Sequence, residues 1–170
     1  MYLQSVQEFS KMLTNISGLL DKAVLHAEAK KFDINNLLNA RLAPDQFSLI
    51  RQIQICCDNV KAVAARLSGQ DAPVHEDNEQ TVDELKARIT KVQDYVKGFK
   101  ADDFTGAADR KIVLPFLPGV YMDGDQYLFE FATPNFYFHV STAYAILRHN
   151  GVDIGKRDFI GHVDMKPMEV

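Results

Sequence analysis

Two polar residues lie one helical turn apart in the most apolar segment of the chain. Asn135 and His139 interrupt the run ATPNFYFHVSTAYAILRHNG, residues 132–151, which is otherwise typical of a buried helix. Side chains at positions i and i+4 share one helix face, with Cβ atoms roughly 5–6 Å apart. An imidazole and an amide at this spacing could hold a metal ion, bind a small molecule, or form hydrogen bonds inside a packed core.

The same predicted helix carries a second polar and aromatic stripe. Its members recur every three or four residues and are Tyr137, Ser141, Tyr144 and Arg148. This spacing fits the mouth of a ligand pocket or an interface, although aromatic stripes at helical spacing more often serve packing. We place Tyr144 with Asn135 and His139 among the candidate ligand-binding residues.

Other groups that could do chemistry carry weaker signals. Cys56 and Cys57 are adjacent in a helical pattern, where neighbouring side chains point about 100° apart, so no disulfide is expected between them. The chain lacks the cysteine and histidine spacings of a structural zinc site, a serine elbow and a phosphate-binding loop. The acidic stretch from His75 to Glu79 does not have calcium-loop spacing and is predicted to be a solvated loop.

Four amphipathic helices are predicted to position these groups. Apolar residues recur every three or four positions along each of them, which marks one buried face per helix. The predicted helices cover about residues 4–31, 44–69, 81–99 and 133–150. A capping box at Thr81 and Glu84 begins the third helix, and Thr133 with Pro134 is predicted to begin the fourth. The pattern predicts an all-α antiparallel four-helix bundle in a single domain over residues 1–170.

The segment before the fourth predicted helix has a different pattern. Two short runs rich in β-branched and aromatic residues, KIVLPF and QYLFEF, flank LPGVYMDGD, which contains an Asp-Gly turn signal. We expect a small β hairpin between helices 3 and 4, with Pro115 confining its strand to an edge. The tail from Val152 to Val170 shows no periodicity and is predicted to follow the surface.

Composition narrows the classes of partner. A net charge of −4 argues against nucleic acid, which needs clustered basic residues, and no apolar run approaches the length of about 20 residues that crosses a membrane. The N-terminal residues lack a signal-peptide pattern and the two cysteines are predicted to be free, so we expect a cytoplasmic protein. Aromatic residues between positions 116 and 138 exceed what one bundle covers, which predicts a two-fold homodimer.

Several motifs resemble a family of uncharacterised bacterial proteins in the DinB/YfiT-like superfamily. The motifs are RLAPDQF, RQIQICCD, EQT and PNFYFHVSTAYAILRHNGVDIGKRDFIG, and the resemblance covers nearly the whole chain. It implies a four-helix bundle. Many members are described as metal-dependent hydrolases, and some resemble transferases that use low-molecular-weight thiols.

The resemblance also implies where a metal site would lie. The typical site has one histidine on the second helix and an HxxxH pair on the fourth. His139 stands at the second position of that pair and Asn135 at the first, while the second helix offers Gln54 or a neighbour and no histidine. Amides are weak ligands for zinc or nickel, so the site is predicted to be degenerate.

These observations predict a metal-free protein that binds a small molecule without a cofactor. The predicted ligand-binding residues are Gln54, Asn135, His139 and Tyr144, with His139 mostly buried and its pKa lowered by burial. A purely structural hydrogen-bond network is a second interpretation. An enzyme of the same superfamily, either a metal-dependent hydrolase with ligands elsewhere or a thiol-dependent transferase, is the alternative function.

Overall fold

Every regular element of the protein is helical in the computed structural model, which describes residues 1–168. In chain order the elements are α1 (Tyr2–Lys30), α2 (Asn35–Leu38), α3 (Leu49–Ser68), α4 (Val82–Lys97), a 3-10 helix (Ala101–Phe104), α5 (Gly124–Gln126), a π-helix (Tyr127–Ala132), α6 (Thr133–His149) and α7 (Lys156–Ile160). The prediction of an all-α fold is therefore confirmed. None of the helices within residues 1–168 is long and apolar enough to cross a membrane.

Helix α3 lies at the centre of the packing and contacts α1, α4 and α6. Fourteen of its twenty residues are buried, so only a narrow strip of the helix reaches solvent. Helix α1 packs against α3, α4 and α6 and buries the stripe that includes Phe9, Leu13 and Leu20. Burial of these stripes supplies most of the stability of such helices, because short helices are marginal on their own.

Local sequence signals explain several helix ends. The backbone N–H of Glu84 donates to Thr81 Oγ1 at 3.2 Å, and the Glu84 carboxylate accepts from the Thr81 N–H at 2.9 Å, so the predicted capping box forms. Gly69 ends α3 with a left-handed φ of 76°, as predicted. Helix α3 begins at Leu49, one turn later than Pro44 suggested, and the short helix α2 was not predicted.

The predicted β hairpin does not form within residues 1–168. Ile112 and Met122 exchange two backbone hydrogen bonds of 2.8 and 3.0 Å, but this antiparallel pair is isolated and does not extend into strands. The second predicted strand, residues 126–131, is helical instead, because α5, the π-helix and α6 form one continuous run from Gly124 to His149.

The beginning of the fourth helix was therefore also predicted wrongly. Thr133 has helical dihedral angles and makes no N-cap. Pro134 lies inside the run, where it cannot donate a hydrogen bond to the carbonyl of Glu130 as a regular α-helix requires. The π-helix directly before Pro134 widens the turn at this point, which lets the helix continue through the proline.

Part of the tail is ordered against α1 rather than aperiodic. Asn15 Nδ2 donates to the carbonyl oxygen of Phe159 at 2.9 Å, and Lys22 pairs with Asp158 at 2.6 Å. These contacts hold the short helix α7 on the surface of α1. Residues 169 and 170, which the tail prediction also covered, lie outside the described residues.

The start of α5 depends on a close backbone approach at Gly124. This residue is buried, and a Cβ atom added to it would overlap the carbonyl oxygen of Ala107. Gly124→Ala should lower the free energy of unfolding by about 1–3 kcal/mol, because the backbone must shift to admit the methyl group. Urea unfolding followed by circular dichroism measures the change.

Gly18→Ala is the matched control for that substitution. Gly18 is an exposed residue inside α1, and a Cβ there meets no atom within 4 Å. The same change should stabilise the protein by about 0.5–1 kcal/mol, because alanine has the higher helix propensity. A Gly124→Ala protein as stable as the wild type would show that the approach to Ala107 is not tight.

Candidate functional site

His139 lies where α6 packs on α3, with 8% of its surface exposed. Its Nδ1 atom is 2.6 Å from Oε1 of Gln52. The Nε2 atom of Gln52 donates to the carbonyl oxygen of Phe47 at 3.0 Å, so the Gln52 amide is oriented with its oxygen toward the imidazole. Because that oxygen can only accept, Nδ1 of His139 carries the proton, and Nε2 of the neutral ring keeps a lone pair.

The electrostatic surroundings favour this neutral form of His139. Burial lowers the pKa of His139, and the positive charge of Arg51 lowers it further. No donor within residues 1–168 makes a hydrogen bond to Nε2 of His139. At neutral pH this atom is therefore a hydrogen-bond acceptor or a base without a partner from the chain.

Asn135 contacts α3 through a separate amide pair. Its Nδ2 atom donates to Oδ1 of Asn59 at 2.9 Å, and Asn59 Nδ2 donates to the carbonyl oxygen of Ile55 at 3.0 Å. Asn59 follows Gln52 by seven residues, which places both on one face of α3. We call Gln52, Asn59, Asn135 and His139 the amide seam between α3 and α6.

The structure separates the four residues predicted to form one site. Asn135 and His139 lie on the amide seam, but each has its own partner on α3. Gln54 is about 200° round the helix from Gln52 and bonds instead to Glu79 at 2.9 Å and to Arg51 at 3.2 Å. The predicted contact between Gln54 and His139 is therefore wrong, and Gln52 takes that place.

Tyr144 also lies away from His139. Five residues further along α6, it is about 140° round the helix, and its ring packs edge-on against Phe159 at a centroid distance of 5.6 Å. Sequence reasoning missed Gln52 and Asn59. Their seven-residue spacing on a helix with an apolar stripe was the available signal that both face one neighbouring helix.

The donors of the amide seam do not fit the three-histidine metal site that the family resemblance implies. His139 is the single imidazole of the seam, and Gln52, Asn59 and Asn135 offer amides, which are poor ligands for zinc or nickel. In residues 1–168 no three histidine, cysteine, aspartate or glutamate side chains gather in a metal-binding arrangement.

A buried ion-pair network occupies the opposite side of α3. The Arg88 side chain, from α4, is 1% exposed and pairs with three carboxylates. Asp58 lies 2.7 Å from its guanidinium, and Asp77 and Glu79 each lie 2.9 Å away. Arg88 falls on the inner face of α4 beside Ile89, so its charge requires partners that reach under the surface.

The loop after α3 supplies two of those partners, Asp77 and Glu79, and the prediction that this loop is solvated is wrong. Asp77 also pairs with Arg51, and Lys61 contacts both Asp58 at 2.8 Å and His75 Nδ1 at 3.0 Å. His75, Asp77 and Glu79 are partly buried, whereas Glu76 between them is exposed. The alternation is one of burial in the structure; residues 75–79 are all polar, so their types alone do not indicate which side of the loop faces the helices.

The pairing shifts the protonation of the network. Burial alone would raise the pKa of Asp77 and Glu79, but hydrogen bonds to the carboxylates outweigh it and hold both pKa values below their ordinary range. Burial would lower the pKa of Arg88, but the hydrogen bonds that Arg88 donates to Glu79 and Asp77 raise it instead. All three groups are therefore charged at neutral pH.

The two cysteines are free and buried, and their thiols are poor nucleophiles. Burial raises the pKa of Cys56 well above its usual value, and the nearby Cys57 thiol raises it further. Burial raises the pKa of Cys57 to about 12, although the charge of Arg88 opposes the shift. Both thiols are protonated at neutral pH, whereas thiol nucleophiles react as thiolates.

A cavity of about 540 Å³ lies away from the amide seam, between α1, α2 and the start of α4. Val24, Ile34 and Val82 form its apolar wall, and Asp83 lies at its edge. No residue of the amide seam lines this cavity.

The comparisons with known proteins agree with the fold and the sequence motifs. Residues 1–160 match the family described as Domain of unknown function (DUF1993). A crystal structure described as a DinB family member protein from Shewanella denitrificans has a TM-score of 0.95 and 50% sequence identity. The match covers 98% of this chain and 95% of that chain. No curated protein matches the chain. The chain belongs to the DUF1993 family, and the predicted resemblance to a DinB-like family of unknown function is confirmed.

The buried network predicts that Arg88 contributes far more to stability than a surface cation. Arg88→Met should lower the free energy of unfolding by about 3–5 kcal/mol, because three carboxylates lose a buried partner. Urea unfolding at neutral pH measures the loss.

Lys86→Met is the matched control on the same helix. Lys86 pairs with Asp21, whose side chain is 59% exposed, so this change removes the same charge from a solvated pair. The expected loss is about 0–1 kcal/mol. Equal losses for the two variants would contradict a structural role for the network.

Proposed function

We propose that this member of the DUF1993 family is a metal-free binding protein that recognises a small molecule at the amide seam. The proposal depends on one observation above all. The contact with Gln52 holds the His139 imidazole neutral with its proton on Nδ1, which leaves Nε2 as an acceptor. A ligand with a hydrogen-bond donor would complete this atom's hydrogen bonding.

Two neighbours of His139 suit an aromatic or anionic ligand. The Phe138 ring is 55% exposed and packs edge-on against the imidazole at a centroid distance of 5.2 Å. An exposed ring of this kind offers apolar contact area beside the polar Nε2 atom. The positive charge of Arg51 acts on the same imidazole and would attract a negative group on the ligand.

The alternative, an enzyme, has less support from the same residues. A thiol nucleophile would need a thiolate, but burial keeps Cys56 and Cys57 protonated. A zinc or nickel hydrolase would need further imidazole or carboxylate ligands near His139, where the seam offers amides. A binding role requires neither a thiolate nor additional metal ligands.

Further parts of the proposal concern the whole chain. We infer an antiparallel four-helix bundle in one domain, and the pairs Gln52–His139 and Asn59–Asn135 support the antiparallel direction of α3 and α6. We also propose a cytoplasmic homodimer without a cofactor. The exposed rings of Phe116 and Phe129 support a contact surface between copies.

Phenol is a direct probe of the proposed site, because it combines a hydrogen-bond donor with an aromatic ring. It should shift the NMR signals of His139 and Phe138 in a saturable manner, with a dissociation constant of about 1 mM. The ring would contact Phe138 while the hydroxyl group donates to Nε2 of His139.

Anisole is the matched control ligand, since it keeps the ring and lacks the donor. It should bind at least tenfold more weakly than phenol at the same residues. Equal effects of the two ligands, or phenol shifts confined to residues away from the seam, would refute a role for Nε2 in recognition.

A further inference from the structure

The segment that joins α3 to α4 is held mainly by side chains. Residues 70–80, which we call the strap, contain no regular secondary structure. Along residues 72–79 the main chain makes no hydrogen bond to the main chain of residues 1–168. Three strap residues, His75, Asp77 and Glu79, face the helices, and Asp77 in the middle of them has a left-handed φ of 55°. The fixed position of the strap therefore depends on the groups that bind its carboxylates.

Each inward carboxylate of the strap uses both of its oxygens. Asp77 binds Arg88 at 2.9 Å through Oδ1 and Arg51 through Oδ2. Glu79 binds Arg88 at 2.9 Å through Oε1 and Gln54 at 2.9 Å through Oε2. Three side chains from α3 and α4, which we call the donor set (Arg51, Gln54 and Arg88), thus hold two carboxylates.

The helices, rather than the strap, build this donor set. Arg88 is 1% exposed and is also fixed by Asp58 of α3 at 2.7 Å. Gln54 is 3% exposed and accepts a hydrogen bond from Arg51 at 3.2 Å. Both buried members would keep their positions if the strap moved away, because the contacts within the two helices remain.

Without the strap, the donor set would face solvent with an excess of positive charge. Arg51, Lys61 and Arg88 are three cations, and Asp58 is the one carboxylate that α3 contributes, which leaves a net charge of +2. Of the other titratable neighbours, His75 belongs to the strap itself, and Cys57 and His139, which interact with the charges of Arg88 and Arg51, are uncharged at neutral pH. Guanidinium groups bind carboxylate and phosphate oxygens in the same forked geometry, so such a site suits a small dianion.

We propose that Asp77 and Glu79 occupy an oxyanion-binding site from within the same chain. A small dianionic oxyanion, phosphate or a short dicarboxylate, binds to Arg51, Gln54 and Arg88 when the strap leaves. The strap is then an internal competitor that closes the site. This site shares Arg51 with the surroundings of His139, but Gln54 and Arg88 bond to no residue of the amide seam, so the proposal does not require a ligand at His139.

Removing the two strap carboxylates tests the proposal. The double variant Asp77→Ala/Glu79→Ala should melt below the wild type, and sodium phosphate or sodium succinate should raise its melting temperature saturably by about 5 °C or more. The salts are compared with sodium chloride at constant ionic strength and neutral pH. The phosphate and succinate series show which class of dianion the site prefers.

Glu76→Ala is the matched control, because Glu76 belongs to the same strap but faces solvent, and its carboxylate accepts a hydrogen bond from Asn78 at 3.0 Å. This variant and the wild type should show no saturable response beyond that of sodium chloride. Adding Arg51→Gln to the double variant should weaken dianion binding at least tenfold, because one cation of the donor set is lost.

Two results would overturn the proposal. One is a double variant that responds to both dianions no more than the Glu76→Ala protein. The other is a dianion response that persists unchanged after Arg51→Gln. If the double variant does not fold in sodium chloride, its helical circular dichroism is measured with phosphate or succinate added. Recovery of the helical signal with either dianion supports the site. No recovery with either dianion contradicts it.

Discussion

The structure depends on the burial of α3, which packs against α1, α4 and α6 and leaves little of its surface to water. Its buried residues include four polar ones, Gln52, Gln54, Asn59 and Lys61. A buried polar group without a partner costs about 1–3 kcal/mol, so each of these residues constrains what packs on it. Gln52 and Asn59 require polar partners from α6, and Gln54 and Lys61 require them from the strap.

The two sides of α3 meet this constraint with different chemistry. Toward α6 the partners are neutral, since Gln52 pairs with the His139 imidazole and Asn59 pairs with the Asn135 amide. Toward α4 the partners are charged, since Arg88 lies under the surface and needs carboxylates. Arg51 joins the two sides, because it binds Asp77 of the strap and also lowers the pKa of His139.

Periodicity predicted the helices well where packing and local propensity favour the same structure. It failed where contacts with residues distant in the sequence determine the structure. The stripe of α1 and the capping box at Thr81 are local signals, and both appear as predicted. The run QYLFEF has strand propensity, but it continues a helix that passes through Pro134 by way of a π-helix. His139 is buried, as predicted, because the spacing of apolar residues fixes the face of its helix. The partner of His139 was predicted wrongly, because whether Gln52 or Gln54 faces the imidazole depends on how α3 is rotated relative to α6.

The proton on His139 distinguishes a packed, metal-free seam from a metal ligand most directly. Long-range proton–nitrogen NMR spectra of untagged protein, purified without chelators, report which ring nitrogen carries it. We expect a neutral ring protonated at Nδ1, a pKa lowered from 6.5 because burial and Arg51 disfavour the charged form, and no change with one equivalent of Zn²⁺. Stoichiometric metal that is bound at Nε2 and lost in His139→Ala would contradict this description of the seam.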